Sequence, residues 1–184
     1  MKKVLGLLLS TAILWSCNSA NKETAAEPAA DTTAKTTAPP PPVDYAYKAT
    51  YSSDWSIGDP KYTQIVLNFY KKLEADNLDD NPDFIEDSVA FSTYDQRIVK
   101  KSRAEFIARV KEFRKGFKSL KEEFVAFVAL HSNDKNEDFV CAWINETGVR
   151  LNGKPDATTY QENWRFRNGK IYFIGDYARY GFHK

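Results

Sequence analysis

An α+β domain, with helices packed on one face of an antiparallel sheet, is the fold class the sequence predicts. Two observations carry it. Helix signals cluster in the first half of the domain, and four long β-branched and aromatic runs follow without interruption. Asp59-Pro60 starts the first helix, with Asp as N-cap and Pro at the first helical position. Ile65, Val66, Phe69, Tyr70 and Leu73 then recur at helical spacing. Asn81-Pro82-Asp83-Phe84-Ile85 suggests a very short second helix, and two short strands are expected around Ser88–Thr93 and Arg97–Lys100. Ser102-Arg103-Ala104-Glu105 is a capping box. Phe106, Val110, Phe113 and Phe117 read as that helix's buried stripe, and Gly116 as its end. The long strands are expected at Leu120–His131, Phe139–Leu151, Thr158–Arg167 and Lys170–Tyr180. Turns fall at Asn133-Asp134-Lys135-Asn136, Asn152-Gly153 and Asn168-Gly169, the last a two-residue hairpin signal.

A second organisation precedes the domain. Lys2-Lys3, the apolar run Val4–Leu14 and the small Ser16 make a secretory signal, too short to span a bilayer. Leu14-Trp15-Ser16-Cys17 resembles the lipobox of bacterial lipoproteins, in which the cysteine is lipidated and becomes the new N-terminus. The resemblance implies a membrane anchor at Cys17 and a cell-envelope address; Asn18, not Asp, favours the outer membrane, with the facing side left open. Residues 17–54 are Ala, Thr and Pro-rich with Pro39–Pro42 near the middle, a composition expected to be a disordered tether reaching roughly 30–40 Å. Residues 55–184 form the expected domain.

The chain has 184 residues, 26 basic and 25 acidic; loss of residues 1–16 removes Lys2 and Lys3 and brings the net charge from +1 to −1. That balance gives no basic field for nucleic acid. With Cys17 lipidated, Cys141 has no partner in the chain, and its run Phe139-Val140-Cys141-Ala142-Trp143 marks it as a small buried hydrophobe. His131 and His183 lie far apart without a cysteine cluster, so neither a metal site nor a cofactor is expected. Acidic residues concentrate between Glu74 and Asp87 and basic ones between Arg103 and Lys121; an acidic partner for the basic helix is weighed against an ordinary solvated face.

Both phases of the long strands are apolar: Phe124, Ala126, Val128 and Leu130 alternate with Val125, Phe127 and Ala129. Helices cover one face of a sheet, so the other calls for a second cover, and a homodimer through the sheet is expected.

The order of elements resembles the nuclear transport factor 2-like superfamily, particularly its SnoaL-like branch. The local match is Glu162-Asn163-Trp164-Arg165-Phe166-Arg167-Asn168-Gly169-Lys170-Ile171, similar to the family's penultimate hairpin. The resemblance implies a cone: a curved sheet wrapped on helices with an apolar pocket at its open end. It also implies a pocket-facing acidic residue at Asp176. There a desolvated carboxylate would serve as a general base, with Tyr172 and Tyr180 as phenolic donors; pairing with Arg165 or Arg179 is the competing account. Trp143, Tyr160 and Trp164 are the candidate apolar wall for a small ligand. Glu162 and Trp164 share one strand face and Asn163 and Arg165 the other, and the sequence leaves open which lines the pocket. Three functions follow: an anchored binder of a small apolar ligand or a protein partner, an isomerase-like enzyme using Asp176, or an assembly subunit.

Overall fold

The computed structural model describes residues 43–92 and 97–181; Cys17, most of the tether and His183 lie outside them. The folded unit runs from Tyr45. Its elements are β1 (Trp55–Ile57), α1 (Pro60–Glu74), β2 (Ile85–Ser92), β3 (Ile98–Ser102), α2 (Arg103–Lys115), β4 (Phe117–Ser132), β5 (Glu137–Arg150), β6 (Pro155–Arg167) and β7 (Lys170–Tyr180). One seven-stranded sheet has the order β1-β4-β5-β6-β7-β2-β3, antiparallel except where β2 pairs β7.

Local chemistry sets the helix ends. Asp59 accepts from the Lys61 N–H at 2.8 Å with Pro60 at the first position, and Ser102 and Glu105 form the reciprocal capping box. Arg114 of α2 closes the far end of α1: its guanidinium donates to the Leu73 carbonyl at 3.0 Å and the Glu74 carbonyl at 3.1 Å. Asn168 and Gly169 both take positive φ, 50° and 78°, as a two-residue hairpin turn between right-twisted strands demands.

Three expectations need correction. Residues 81–84 form a turn instead of a second helix, since Pro82 leads straight into β2. Phe117 opens β4 and is not the last helical residue; Phe106 and Ile107 carry the buried face of α2. The charged segments are solvated and also meet within the chain: Lys111 pairs with Asp80 and the buried Arg103 with Asp87, its guanidinium also donating to Asn81 at 2.8 Å. Ordered contacts also begin before Trp55, because Tyr51 packs edge-on against Phe139 at 5.4 Å and its hydroxyl donates to Glu137.

The doubled apolar phase of β4 has a physical origin. A β-bulge between Phe124 and Ala126 inserts one residue, so Leu120, Glu122 and Phe124 pair with the buried phase of β5 before it, and Phe127 and Ala129 pair with that phase after it. A second bulge interrupts the β6–β7 pairing between Arg165 and Phe166. Bulges bend their strand and raise its twist, which curves the sheet over α1 and α2. The core between sheet and helices holds Val66, Phe69, Ile107, Val140, Ile144, Trp164 and Phe166.

Candidate functional site

Between the sheet and the two helices lies a cavity of about 170 Å³. Phe69, Tyr70 and Leu73 reach it from α1, and Phe106, Arg109, Val110 and Phe113 from α2. The sheet supplies Phe91 and Ser92, Glu146, Tyr160, Glu162, Trp164, Ile174 and Asp176. The wall is mainly apolar, yet three carboxylates interrupt it, with Glu122 standing beside Glu146 across the β4–β5 ladder.

Glu162, only 6 % exposed, holds the centre of the polar part. The Tyr70 hydroxyl donates to one oxygen at 2.6 Å and the Trp164 indole N–H to the other at 2.7 Å. Burial drives its pKa up and these two donors pull it back, leaving it at about 7. Directly across the β6–β7 ladder stands Asp176, whose carboxyl is raised by burial and only partly relieved by Ser92. Its Oδ1 is buried without a partner. Across β4 and β5, Glu122 and Glu146 face each other. Burial and the neighbouring Glu146 push Glu122 up to about 10, so it is protonated at neutral pH and shares that proton with Glu146. Tyr160 adds a hydroxyl donor to Glu146 at 3.3 Å.

The strand alternation that places these carboxylates also sorts the residues singled out from sequence. Asp176, Tyr160 and Trp164 come together on the cavity wall. Among the described residues neither Arg165 nor Arg179 forms a salt bridge with Asp176; Arg165 instead stacks on Phe173, its guanidinium carbon 4.5 Å from the ring centroid. Trp143 is on the opposite sheet face, level with Ala126 and Gln161, because it lies in the outward phase of β5. Tyr172 is the extra residue of the second bulge and does not line the cavity; its hydroxyl donates to Glu137 and Arg167 lies over its ring at 4.1 Å. Tyr180, at the end of β7, is largely exposed and does not line the cavity. The phenols beside the carboxylates are Tyr70, from α1, and Tyr160, from β6. His131 is half-buried against Asp138 at 2.8 Å, between β1 and β5, and does not line the cavity. Cys141 is half-buried on the outward face, its thiol donating to Asn163 at 3.2 Å.

The sequence places Glu162 on the Trp164 face of its strand without a role, and gives Glu122 and Glu146 no place in the site, but each carries a signal. Each is the acidic member of an otherwise apolar strand phase: Leu120-Glu122-Phe124, Ile144-Glu146, and Tyr160-Glu162-Trp164-Phe166 at every second position.

No protein-family model matches the sequence, and no curated protein matches it. Solved structures do resemble the fold. A candidate SnoaL-like polyketide cyclase from Jannaschia sp. CCS1 aligns with a TM-score of 0.52 at 12% identity, over 69% of this chain and 91% of that one. A nuclear transport factor 2-like protein of unknown function from Exiguobacterium sp. 255-15 aligns with 0.50 at 12% identity, over 62% and 97%. A candidate isomerase from Bacillus subtilis aligns with 0.50 at 17% identity, over 65% and 86%. The domain has the nuclear transport factor 2-like α+β cone fold. At these identities the likeness establishes architecture, and the cavity must speak for function.

Proposed function

We propose that the chain is a lipid-anchored cell-envelope protein whose cone domain binds a small ligand with an apolar body in the cavity between sheet and helices. The observation that carries the binding half is the cavity itself: about 170 Å³, walled by Phe69, Phe91, Phe106 and Trp164, with a few buried polar groups converging on one side. Apolar walls with a small number of placed polar groups are what ligand sites use for affinity and orientation. The anchoring half rests on the signal-like N-terminus and Cys17. Among the described residues no helix is long and apolar enough to cross a membrane. On this reading lipid on Cys17 is the attachment, with several acyl chains for stable anchoring.

Two measurements test the halves separately. Cys17→Ala should release the protein from membranes or stall it as a precursor, and unchanged membrane association would refute the anchor. Native mass spectrometry of the protein taken from its own cells should show a bound small molecule, lost when Val110→Phe fills the cavity from α2. An empty wild-type domain would favour an assembly role instead.

One observation favours a second, catalytic reading. Asp176 presents an unpartnered oxygen to the cavity with Glu162 directly opposite, which supplies a base and a second proton-carrying group side by side. On that reading Asp176→Asn keeps ligand affinity and loses turnover by orders of magnitude; on the binding reading there is no turnover to lose.

A further inference from the structure

The cavity lining is unequal in charge, with three carboxylates against one arginine, Arg109. Glu146, Glu162 and Asp176 line it and Glu122 stands behind Glu146, yet among the described residues no lysine or arginine forms a salt bridge with any of the four. The basic groups nearby are committed elsewhere. Arg150, which acts on Glu146, is paired with Asp156. Arg109 is exposed at the rim, its guanidinium over the Phe91 ring at 5.8 Å. Glu74, at the end of α1, accepts from the Glu122 backbone N–H at 2.7 Å and is itself paired with Lys71. Independently of the clustering, a polar atom is left over on the cavity wall: Asp176 Oδ1 is buried and has no hydrogen-bond partner.

Buried carboxylates without counter-charge are costly unless they keep a proton or meet a cation. The chain supplies only neutral donors: Tyr70 and Trp164 to Glu162, Tyr160 to Glu146, and Ser92 beside Asp176. An anionic ligand would add like charge to this wall. Among the described residues no three Asp, Glu, His or Cys side chains converge as ligands for a metal ion, while aromatic faces surround the space. Such faces suit an apolar body and attract an ammonium group.

We infer that the cavity selects an organic cation, a protonated amine or amidine on a body of about one ring, whose charged end sits between Glu162 and Asp176. The inference rests on the ligand-binding reading above and names the class of ligand. Size agrees with it, since an apolar cavity of roughly 150 Å³ admits benzene and this one is about 170 Å³. Entry of the cation replaces a proton: the carboxyl proton leaves to buffer as the ammonium takes its place. With Glu162 poised at about 7, this exchange falls in the neutral range.

Benzylamine, benzyl alcohol and benzoate, nearly equal in shape and different in charge, test this on the full chain by titration calorimetry. Benzylamine should bind at least about tenfold tighter than benzyl alcohol, the scale of one charge-assisted contact, and benzoate should not bind. Its binding heat should change between phosphate and Tris in proportion to buffer ionisation, reporting proton release, whereas that of benzyl alcohol should not. Asp176→Asn and Glu162→Gln should each weaken benzylamine by a larger factor than benzyl alcohol; should either variant unfold, the wild-type comparison and the buffer dependence decide alone. Equal affinity for the alcohol, or binding of benzoate, overturns the cation inference and leaves ligand binding standing. Failure of all three probes to bind overturns the inference and the ligand-binding reading with it.

Discussion

At the scale of single residues the protein carries an internal acid store with a predictable effect on stability. Glu162 is held at about 7 and Glu122 at about 10, both far above the range near 4.3 of an unfolded glutamate. The folded state therefore binds more protons than the unfolded one across that window, and stability falls as pH rises. The contribution is complete below about pH 4, diminishes as Glu162 ionises near 7, and is lost as Glu122 ionises near 10. The melting temperature should be higher near about pH 5 than near about pH 9, and Glu122→Gln, which keeps shape but cannot ionise, should flatten the alkaline part. An unchanged alkaline slope in thermal unfolding by circular dichroism would remove Glu122 from this role. The same residues show how far a site can be read from sequence. Asp176 stood out through its resemblance to a family position. The glutamates did not, because one acidic residue in an apolar strand phase is visible only once the phase facing the core is known, and each β-bulge resets that phase.

At the scale of elements, packing between strands is tight enough to make particular changes costly. Gly148 on β5 lies opposite Leu120, and a Cβ there would meet the Phe117 ring at 2.7 Å and the Ser119 carbonyl at 2.8 Å. Backbone cannot yield as a flexible side chain can, so Gly148→Ala should destabilise by about 1–3 kcal/mol in urea titration. A change under about 0.5 kcal/mol would mean that the start of β4, where the register also shifts between Phe117 and Ser119, moves freely. Ser102→Ala, which removes the oxygen side of the capping box on α2, should cost about 1 kcal/mol by the same measurement. These local devices are also the part of the fold that sequence made legible: the Asp-Pro start, the capping box and the Asn-Gly turn all form where their chemistry requires. The turn in place of a second helix and the three-residue β1 were not legible. Pro82 and Phe84 sit in a segment whose shape is set by the following strand, and Trp55-Ser56-Ile57 is too short to show a period.

At the scale of the whole molecule, no helix among the described residues covers the outward sheet face, and we propose that a second copy of the chain covers it. The bulge in β4 accounts for part of the doubled apolar pattern, but Trp143 and Tyr177 still stand on this face in one cross-strand row, on either side of Gln161, with 37 % and 65 % of their surfaces exposed. Half-buried Cys141 and Val128 occupy the next row. Large aromatics clustered on an otherwise polar surface are the usual anchors of a protein interface, and a two-fold axis through the row would set each Trp143 against its counterpart. Trp143→Glu then places like charges opposite each other in the contact, which costs far more than the loss of one ring. Wild-type protein lacking only its lipid should sediment as a dimer at concentrations well above micromolar, and the variant as a monomer with its helix and strand content unchanged. A wild-type monomer under those conditions would refute the dimer. Because the row lies on the face opposite the cavity, Trp143→Glu should leave benzylamine affinity within about twofold, whereas coupled losses of dimer and ligand would tie the two faces through the curvature of the sheet.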